Sequence, residues 1–225
     1  MTTAGENRFW DFLFCYRYET LLVSFFILLF GDLIIITQVD LFPFLVIQNV
    51  IASFLVFHKQ RVKRVFYFLV IAFLVLLEVV NVLQLINNIR IAFFLTYIIY
   101  FAILSLKVYQ QILFSEEVSQ GMIAAVLCGF IILGLIGGFV FSMIELVEPG
   151  SFNNIAEGVG GISDLLYFSF VTILSIGYGD ITPATDIAQK SALLFGLVGY
   201  FYGVVVIGVI IGKYLAQKNN SPDNL

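Results

Sequence analysis

Residues 167–183 read YFSFVTILSIGYGDITP, and this stretch decides how the rest of the chain is interpreted. The apolar run from Leu165 to Leu174 has the length of a short helix, too short to cross the hydrocarbon of a bilayer. It leads directly into Gly177-Tyr178-Gly179, and a polar exit, Asp180 to Pro183, follows. The pattern predicts a re-entrant loop that enters a membrane and returns to the same side.

The composition is that of a membrane protein. Of the 225 residues 61% are apolar and 12% are charged, whereas soluble domains have about half and about a quarter. The net charge of −4 argues against a nucleic-acid partner. Cys15 and Cys128 are the only cysteines, and neither a disulfide nor redox chemistry is expected from them.

Six apolar stretches have about the length that a membrane-spanning helix needs, which predicts an all-α fold of six transmembrane helices around the re-entrant loop. They are residues 20–37, 42–57, 65–86, 91–111, 121–146 and 189–215. If all six cross, nine Lys and Arg residues lie on one side and only Arg90 and Lys190 on the other. Because Lys and Arg are in excess on the cytoplasmic side of membrane proteins, this distribution predicts a plasma (cell inner) membrane protein with both termini in the cytoplasm.

Two parts can be separated along the chain. Residues 1–111 comprise an aromatic N-terminal segment, expected to lie along the membrane surface, and a four-helix domain resembling a voltage sensor in plan. Residues 112–225 comprise a linker and the pore domain, with Ile112–Gln120 predicted as a polar connector. The short polar tail after Leu215 predicts no soluble regulatory domain in the chain.

The glycines at 177 and 179 have a physical use in such a loop. An ion that leaves water for a membrane must exchange its hydration shell for fixed oxygens, and backbone carbonyls are stiffer ligands than long side chains. Carbonyls that face one way require unusual backbone angles, which glycine tolerates. Ser175 adds a hydroxyl, and the short helix, with Ser163 or Asp164 as its expected cap, directs its negative end inward.

The segment Ser175-Ile176-Gly177-Tyr178-Gly179-Asp180 resembles the filter of tetrameric potassium channels, Thr-Val-Gly-Tyr-Gly-Asp. The resemblance covers about 145–215 and reaches the first four helices only in number and topology. It implies a homotetramer in membrane lipid, whose K+ ligands are the carbonyls of Ser175, Ile176, Gly177 and Tyr178 and the Ser175 hydroxyl. Gly179 completes the filter, and no cofactor besides the permeant ions is expected.

The family also braces its filter with two adjacent tryptophans in the pore helix. Here Tyr167 and Phe168 take these positions. Tyr167 can still donate a hydrogen bond to Asp180, but Phe168 has no donor. The resemblance therefore implies a more weakly braced filter, in which slow inactivation can occur.

Several further residues permit two interpretations. Gly199 stands where the family places its gating hinge, or it is one of a series of close-packing glycines: Gly196, Gly199, Gly203, Gly208 and Gly212. Six acids of the outer segment either concentrate cations or form an ordinary solvated loop: Glu145, Glu148, Glu157, Asp164, Asp180 and Asp186. Asp32 and Glu78, inside predicted spans, are either structural partners of Arg90 or part of a sensor.

The best hypothesis is a channel that conducts potassium passively, with no enzymatic motif in the chain. The alternatives are a weakly selective cation channel, a potassium-transporter subunit, and a structural or lipid-binding membrane subunit. The complete filter pattern favours the first hypothesis. What opens the pore is not evident from the residues.

We predict that opening depends only shallowly on voltage. Moving one charge through 100 mV contributes about 2.3 kcal/mol, so steep gating needs roughly three or four charges per subunit. The predicted fourth span offers only Arg90 and Lys107, one near each end. Recordings from the purified channel in planar bilayers check this, and a steep conductance–voltage curve with gating currents would contradict it.

Overall fold

A computed structural model describes residues 16–34, 42–57, 72–73, 90–114, 120–156 and 160–219. Within these residues lie six helices and one two-stranded antiparallel ladder. The helices are α1 (Arg17–Ile34), α2 (Phe42–Phe57), α3 (Arg90–Phe114), α4 (Gln120–Val147), α5 (Gly160–Ile173) and α6 (Asp186–Asn219). The strands are β1 (Phe152–Asn153) and β2 (Thr182–Pro183).

Three of the described helices are long and apolar enough to cross a membrane: Arg90–Phe114, Gly121–Val147 and Asp186–Gln217. The protein is thus a helical membrane protein, while the count of six spans stays a prediction. The predicted span 65–86 lies outside the described residues except for 72–73, as do Glu78 and the side chain of Asp32.

The helices follow the apolar runs, but several bounds differ from the predicted ones. α1 begins at Arg17 rather than at residue 20, and α6 is Asp186–Asn219 rather than 189–215. α2 has the predicted bounds, and α3 continues to Phe114. Ile112–Phe114 are therefore helical, and their assignment to a polar connector is wrong. The reason is that Ile112, Leu113 and Phe114 carry on the apolar run without a glycine or proline to end it.

The chain divides into two compact units, of which the first comprises residues 1–86, 107–115 and 119–128. Its described core is the packing of α1 on α2, where Leu21, Phe25 and Val50 are buried. The buried amide Nδ2 of Asn49 donates to Ser24 Oγ across this contact at 2.9 Å. A polar pair of this kind joins two helices specifically in surroundings where apolar contacts alone discriminate poorly.

The second unit comprises residues 87–106, 116–118 and 129–225. In it, Phe139 of α4 meets three aromatic rings on one face of α3. Tyr97 stacks on it with ring centroids 5.1 Å apart, Phe101 stacks at 5.8 Å, and Phe94 lies at 6.3 Å. Their spacing of three and four residues places these rings on the same helix face.

Glycines on α4 let the short helix α5 approach closely. A methyl group on Gly138 would lie 2.9 Å from the Cα atom of Leu166, so only glycine fits this contact. A methyl group on Gly134 would overlap the ring of Phe170. Between them the buried Ser169 Oγ donates to the carbonyl of Gly134 at 2.8 Å. These contacts set the position of α5, and with it the loop that follows.

Gly199 provides the matching contact on α6. A Cβ atom there would lie 2.9 Å from the carbonyl oxygen and 3.0 Å from the Cα atom of Ile173, at the end of α5. By contrast, a Cβ atom on Gly203, Gly208 or Gly212 would meet no atom within 4 Å in the subunit. Within the subunit, close packing therefore describes Gly199, and the hinge at Gly199 stays a prediction.

We expect Gly199→Ala to lower the melting temperature of the purified channel by roughly 2–10 °C, because its methyl group meets the backbone of α5. Gly203→Ala is the matched control, since it adds the same methyl group to open space on the same helix. Thermal unfolding of both variants checks this. If the two melting temperatures change alike, the contact with Ile173 does not constrain α6.

Candidate functional site

The start of α5 differs from the sequence-based expectation. The helix begins at Gly160, so Ser163 and Asp164 lie inside it and neither is its N-cap. That prediction is wrong because the residues before Ser163 are themselves helical. Asp164 instead accepts a hydrogen bond at Oδ2 from the backbone N–H of Ala156, at 2.7 Å. It thus holds the segment that precedes the helix.

The end of α5 is a Schellman motif. The N–H of Ser175 donates to the carbonyl of Thr172 at 3.1 Å, and the N–H of Ile176 donates to that of Val171 at 3.0 Å. This motif places one residue in the left-handed conformation, and here that residue is Ser175, with φ 56°. Sequence reasoning assigned unusual angles only to Gly177 and Gly179 and missed Ser175. The signal was its position directly after the apolar helix.

The five residues that follow α5 and Leu174 alternate in handedness. Ser175, Gly177 and Gly179 have φ of 56°, 62° and 79°, while Ile176 and Tyr178 are not in the left-handed region. Alternation of this kind turns successive peptide groups so that like atoms face the same side. Tyr178 is 71% exposed, and the whole segment is exposed in the single subunit. One chain therefore supplies one row of backbone groups along an open surface.

Asp180 closes this row, and Tyr167 holds its carboxylate. Tyr167 Oη donates to Asp180 Oδ2 at 2.7 Å, the hydrogen bond expected from the sequence. The hydrogen bond lowers the pKa of Asp180 and raises the pKa of Tyr167 to about 12. Both groups are exposed and lie outside the candidate spanning helices. At neutral pH the pair therefore consists of an ionised acceptor and a protonated donor.

Phe168 packs instead of donating. Its buried ring lies 5.3 Å from that of Phe141 and 5.5 Å from that of Phe152. Phe195 of α6 joins the cluster, with its ring 5.3 Å from Phe141. These rings belong to α4, β1, α5 and α6, so apolar packing joins four of the elements around the loop. Aromatic contacts with this geometry stabilise a core beyond their buried area.

Besides Asp180, two of the outer acids have local structural partners. Glu145, at the end of α4, accepts from the N–H of Gly150 at 2.7 Å and from that of Phe152 at 3.0 Å. Asp164 binds Ala156, as described above. Glu157 lies outside the described residues. Attraction of cations by the six acids stays a prediction.

Part of the chain is similar to known proteins. Residues 129–216, fewer than half of the 225, match the family model described as ion channel. The two pore potassium channel c of Oryza sativa subsp. japonica is 41% identical over 63 residues, which are 28% of this chain and 14% of that protein. No solved structure matches the chain significantly.

Two archaeal proteins are similar over comparable lengths. The hyperpolarization-activated voltage-gated potassium channel of Methanocaldococcus jannaschii is 33% identical over 63 residues, 28% of this chain and of that protein. The voltage-gated potassium channel of Aeropyrum pernix is 28% identical over 80 residues, 36% of this chain and 25% of that protein. The chain thus matches less than a third of each of these relatives.

Residues 129–216 are thus similar to an ion-channel domain. The relatives named above are potassium channels, and each is similar to this chain over 63 to 80 residues only. The filter-like segment, α5 and all but the last turn of α6 fall inside the matched residues.

We expect Tyr167→Phe to destabilise the channel by an amount that is constant between about pH 5 and about pH 9. The lowered pKa of Asp180 contributes stability that is present above its ordinary pKa of 3.8 and is lost as the pH falls through the lowered value. The raised pKa of Tyr167 contributes stability that is present below 10.0 and is lost as the pH rises through about 12.

Melting temperatures of the parent and Tyr167→Phe, measured across this pH range, check the prediction. Tyr214→Phe, which removes the hydroxyl of an exposed tyrosine on α6, is the control. A difference between parent and Tyr167→Phe that varies between pH values of about 5 and about 9 would show that another titrating group holds Asp180.

Proposed function

We propose that the chain is one subunit of a homotetrameric, potassium-selective channel of the plasma membrane, which conducts K+ passively down its gradient. One observation carries the proposal: the left-handed conformation recurs at Ser175, Gly177 and Gly179, directly after the end of a short apolar helix. Such alternation is what a row of carbonyl ligands facing a common axis requires.

In this proposal, the carbonyl oxygens of Ser175, Ile176, Gly177 and Tyr178 replace the water around K+, and the Ser175 hydroxyl adds a ligand at the inner end. A cation in hydrocarbon without such oxygens is penalised by many kcal/mol. Because backbone oxygens are already in place, the ion exchanges ligands without reorganising the protein. The partial negative charge at the C-terminus of α5 favours a cation at the start of this row.

Assembly of several chains is expected from the single row, and the resemblance to tetrameric potassium channels implies four. One strand of ligands lines only one side of a path, so a closed path requires copies arranged around an axis. The apolar surface of α6 supports such an arrangement because many large side chains on it are exposed in the subunit. Among them are Leu193, Leu194, Leu197, Phe201 and Val204. Membrane lipid covers the parts of this surface that other subunits leave free.

The relatives' names support potassium as the permeant ion, whereas gating is not carried over from them. Two of the names describe voltage-gated channels, but the matched lengths are 63 and 80 residues. The distribution of Lys and Arg favours cytoplasmic termini. We therefore propose a potassium channel without strong voltage dependence.

The test is the reversal potential of the channel in bilayers with opposed K+ and Na+ gradients. We expect a reversal potential near that for K+ in the parent, and loss of current or of K+ preference in Gly177→Ala. The methyl group disfavours the left-handed conformation by about 1–2 kcal/mol in each subunit. A reversal potential midway between those for the two ions would instead indicate a weakly selective cation channel.

Gly150→Ala is the matched control for this variant. Gly150 also has a left-handed conformation, with φ 85°, and a Cβ atom at either position would meet no atom within 4 Å. It lies in the loop after α4, outside the row of ligands. We expect it to keep K+ preference, so equal loss of selectivity in both variants would argue against a filter at Gly177.

A further inference from the structure

Asn154 follows β1 and contacts the end of the filter-like segment. Its amide Nδ2 donates to the backbone carbonyl of Asp180 at 2.8 Å. Its own backbone is left-handed, with φ 61°, a conformation that asparagine adopts more readily than most residues. The residue is thus held in an uncommon backbone conformation from which its short side chain reaches a carbonyl 26 residues away in the sequence.

With this contact, every acceptor group of Asp180 has a donor. Oδ2 accepts from Tyr167, Oδ1 accepts from the N–H of Ile181 at 3.0 Å, and the carbonyl accepts from Asn154. The donors come from α5, from the residue that follows Asp180 and from the loop after β1. The Asp180 carbonyl and the Ile181 N–H belong to one peptide group. The carboxylate that Tyr167 holds therefore fixes one side of this group, and Asn154 fixes the other.

The loop that carries Asn154 is itself anchored. β1 pairs with β2 in the register Asn153↔Thr182, and the amide of Asn153 donates to Thr182 Oγ1 at 3.1 Å. The N–H of Ala184 donates to the carbonyl of Ser151 at 2.8 Å. The amide of Asn154 is therefore presented from a fixed frame rather than from a free loop.

Gly179, the residue before Asp180, has no comparable support. It is left-handed, with φ 79°, and a Cβ atom there would meet no atom within 4 Å in the subunit. Because packing does not hold Gly179, its conformation depends on the residues that flank it. On the side of the polar exit, Gly179 is flanked by Asp180, whose peptide group is held by the hydrogen bonds described above.

We propose that Asn154 is a positioning residue for the outer end of the filter. By holding the Asp180 carbonyl away from the ion path, it keeps the carbonyls before it in the ion-binding arrangement and so raises the affinity of the filter for K+. The inference rests on the proposed function. Asn154 thus braces the filter in addition to Tyr167, and it does so from outside α5.

The experiment measures how K+ stabilises the purified, detergent-solubilised channel, a readout that does not require the gate to open. Melting temperatures are recorded over a series of K+ concentrations, with Na+ keeping the ionic strength constant. The quantity compared is the K+ concentration that gives half of the maximal increase. Purely structural damage lowers the melting temperature at every K+ concentration, whereas loss of the positioning shifts this midpoint.

Two variants remove the donor without creating backbone strain. Asn154→Gly tolerates the left-handed conformation, and Asn154→Asp keeps the shape but places an oxygen against the carbonyl. Asn153→Ala is the matched control, because it removes the neighbouring amide, whose partner is a side chain outside the filter. We expect Asn154→Gly to need about two- to tenfold more K+, the effect of one net hydrogen bond, and Asn154→Asp at least as much.

The same variants are recorded in planar bilayers under conditions in which the parent conducts. We expect sustained K+ currents of both Asn154 variants to decay faster than those of the parent, and high external K+ to slow the decay. If both Asn154 variants have the midpoint of the parent, or if Asn153→Ala shifts the midpoint equally, the inference is wrong while the proposed function stands. A parent stabilised equally by K+ and Na+ would overturn the proposed function and the inference with it.

Discussion

The left-handed turn at Ser175 is the constraint on which the geometry of the filter-like segment and its surroundings depends. The Schellman motif at the end of α5 sets that turn, and the alternation through Gly177 and Gly179 continues from it. Packing within the subunit holds this segment little, because its residues are exposed and a Cβ atom at either glycine would meet no atom within 4 Å. Its geometry must come from what is attached to its two ends.

The inner end is set by close contacts between helices. Gly138 on α4 and Gly199 on α6 each bring a helix against the backbone of α5, at Leu166 and at Ile173. Glycine allows this approach without an intervening side chain, so a small displacement of α5 meets resistance from both neighbours. The position from which the filter-like segment leaves the helix is therefore determined by rigid packing.

The outer end is held by hydrogen bonds and by aromatic packing. Asp180 receives donors from Tyr167 and Asn154, while Phe168 joins Phe141 and Phe152 in the core beside it. Phe168 stands where the resembled family has a tryptophan that donates a hydrogen bond, so one polar brace is replaced by apolar contact area. The loop after β1 supplies a hydrogen bond from another direction. Bracing is therefore distributed over several elements rather than concentrated in the pore helix.

The sequence by itself determined the membrane class, the approximate positions of the described helices, the short helix before Gly177 and the Tyr167–Asp180 pair. Each of these depends on local composition or on a recognisable pattern of neighbours. The tertiary structure decided that Ser163 and Asp164 do not cap α5, that Ser175 is left-handed, that Gly199 packs on Ile173, and that Asn154 reaches Asp180. These features join residues that are distant in the chain, or depend on where a helix ends against its neighbours. The periodicity of neighbouring residues does not predict such contacts or helix ends, because they form only when the elements pack.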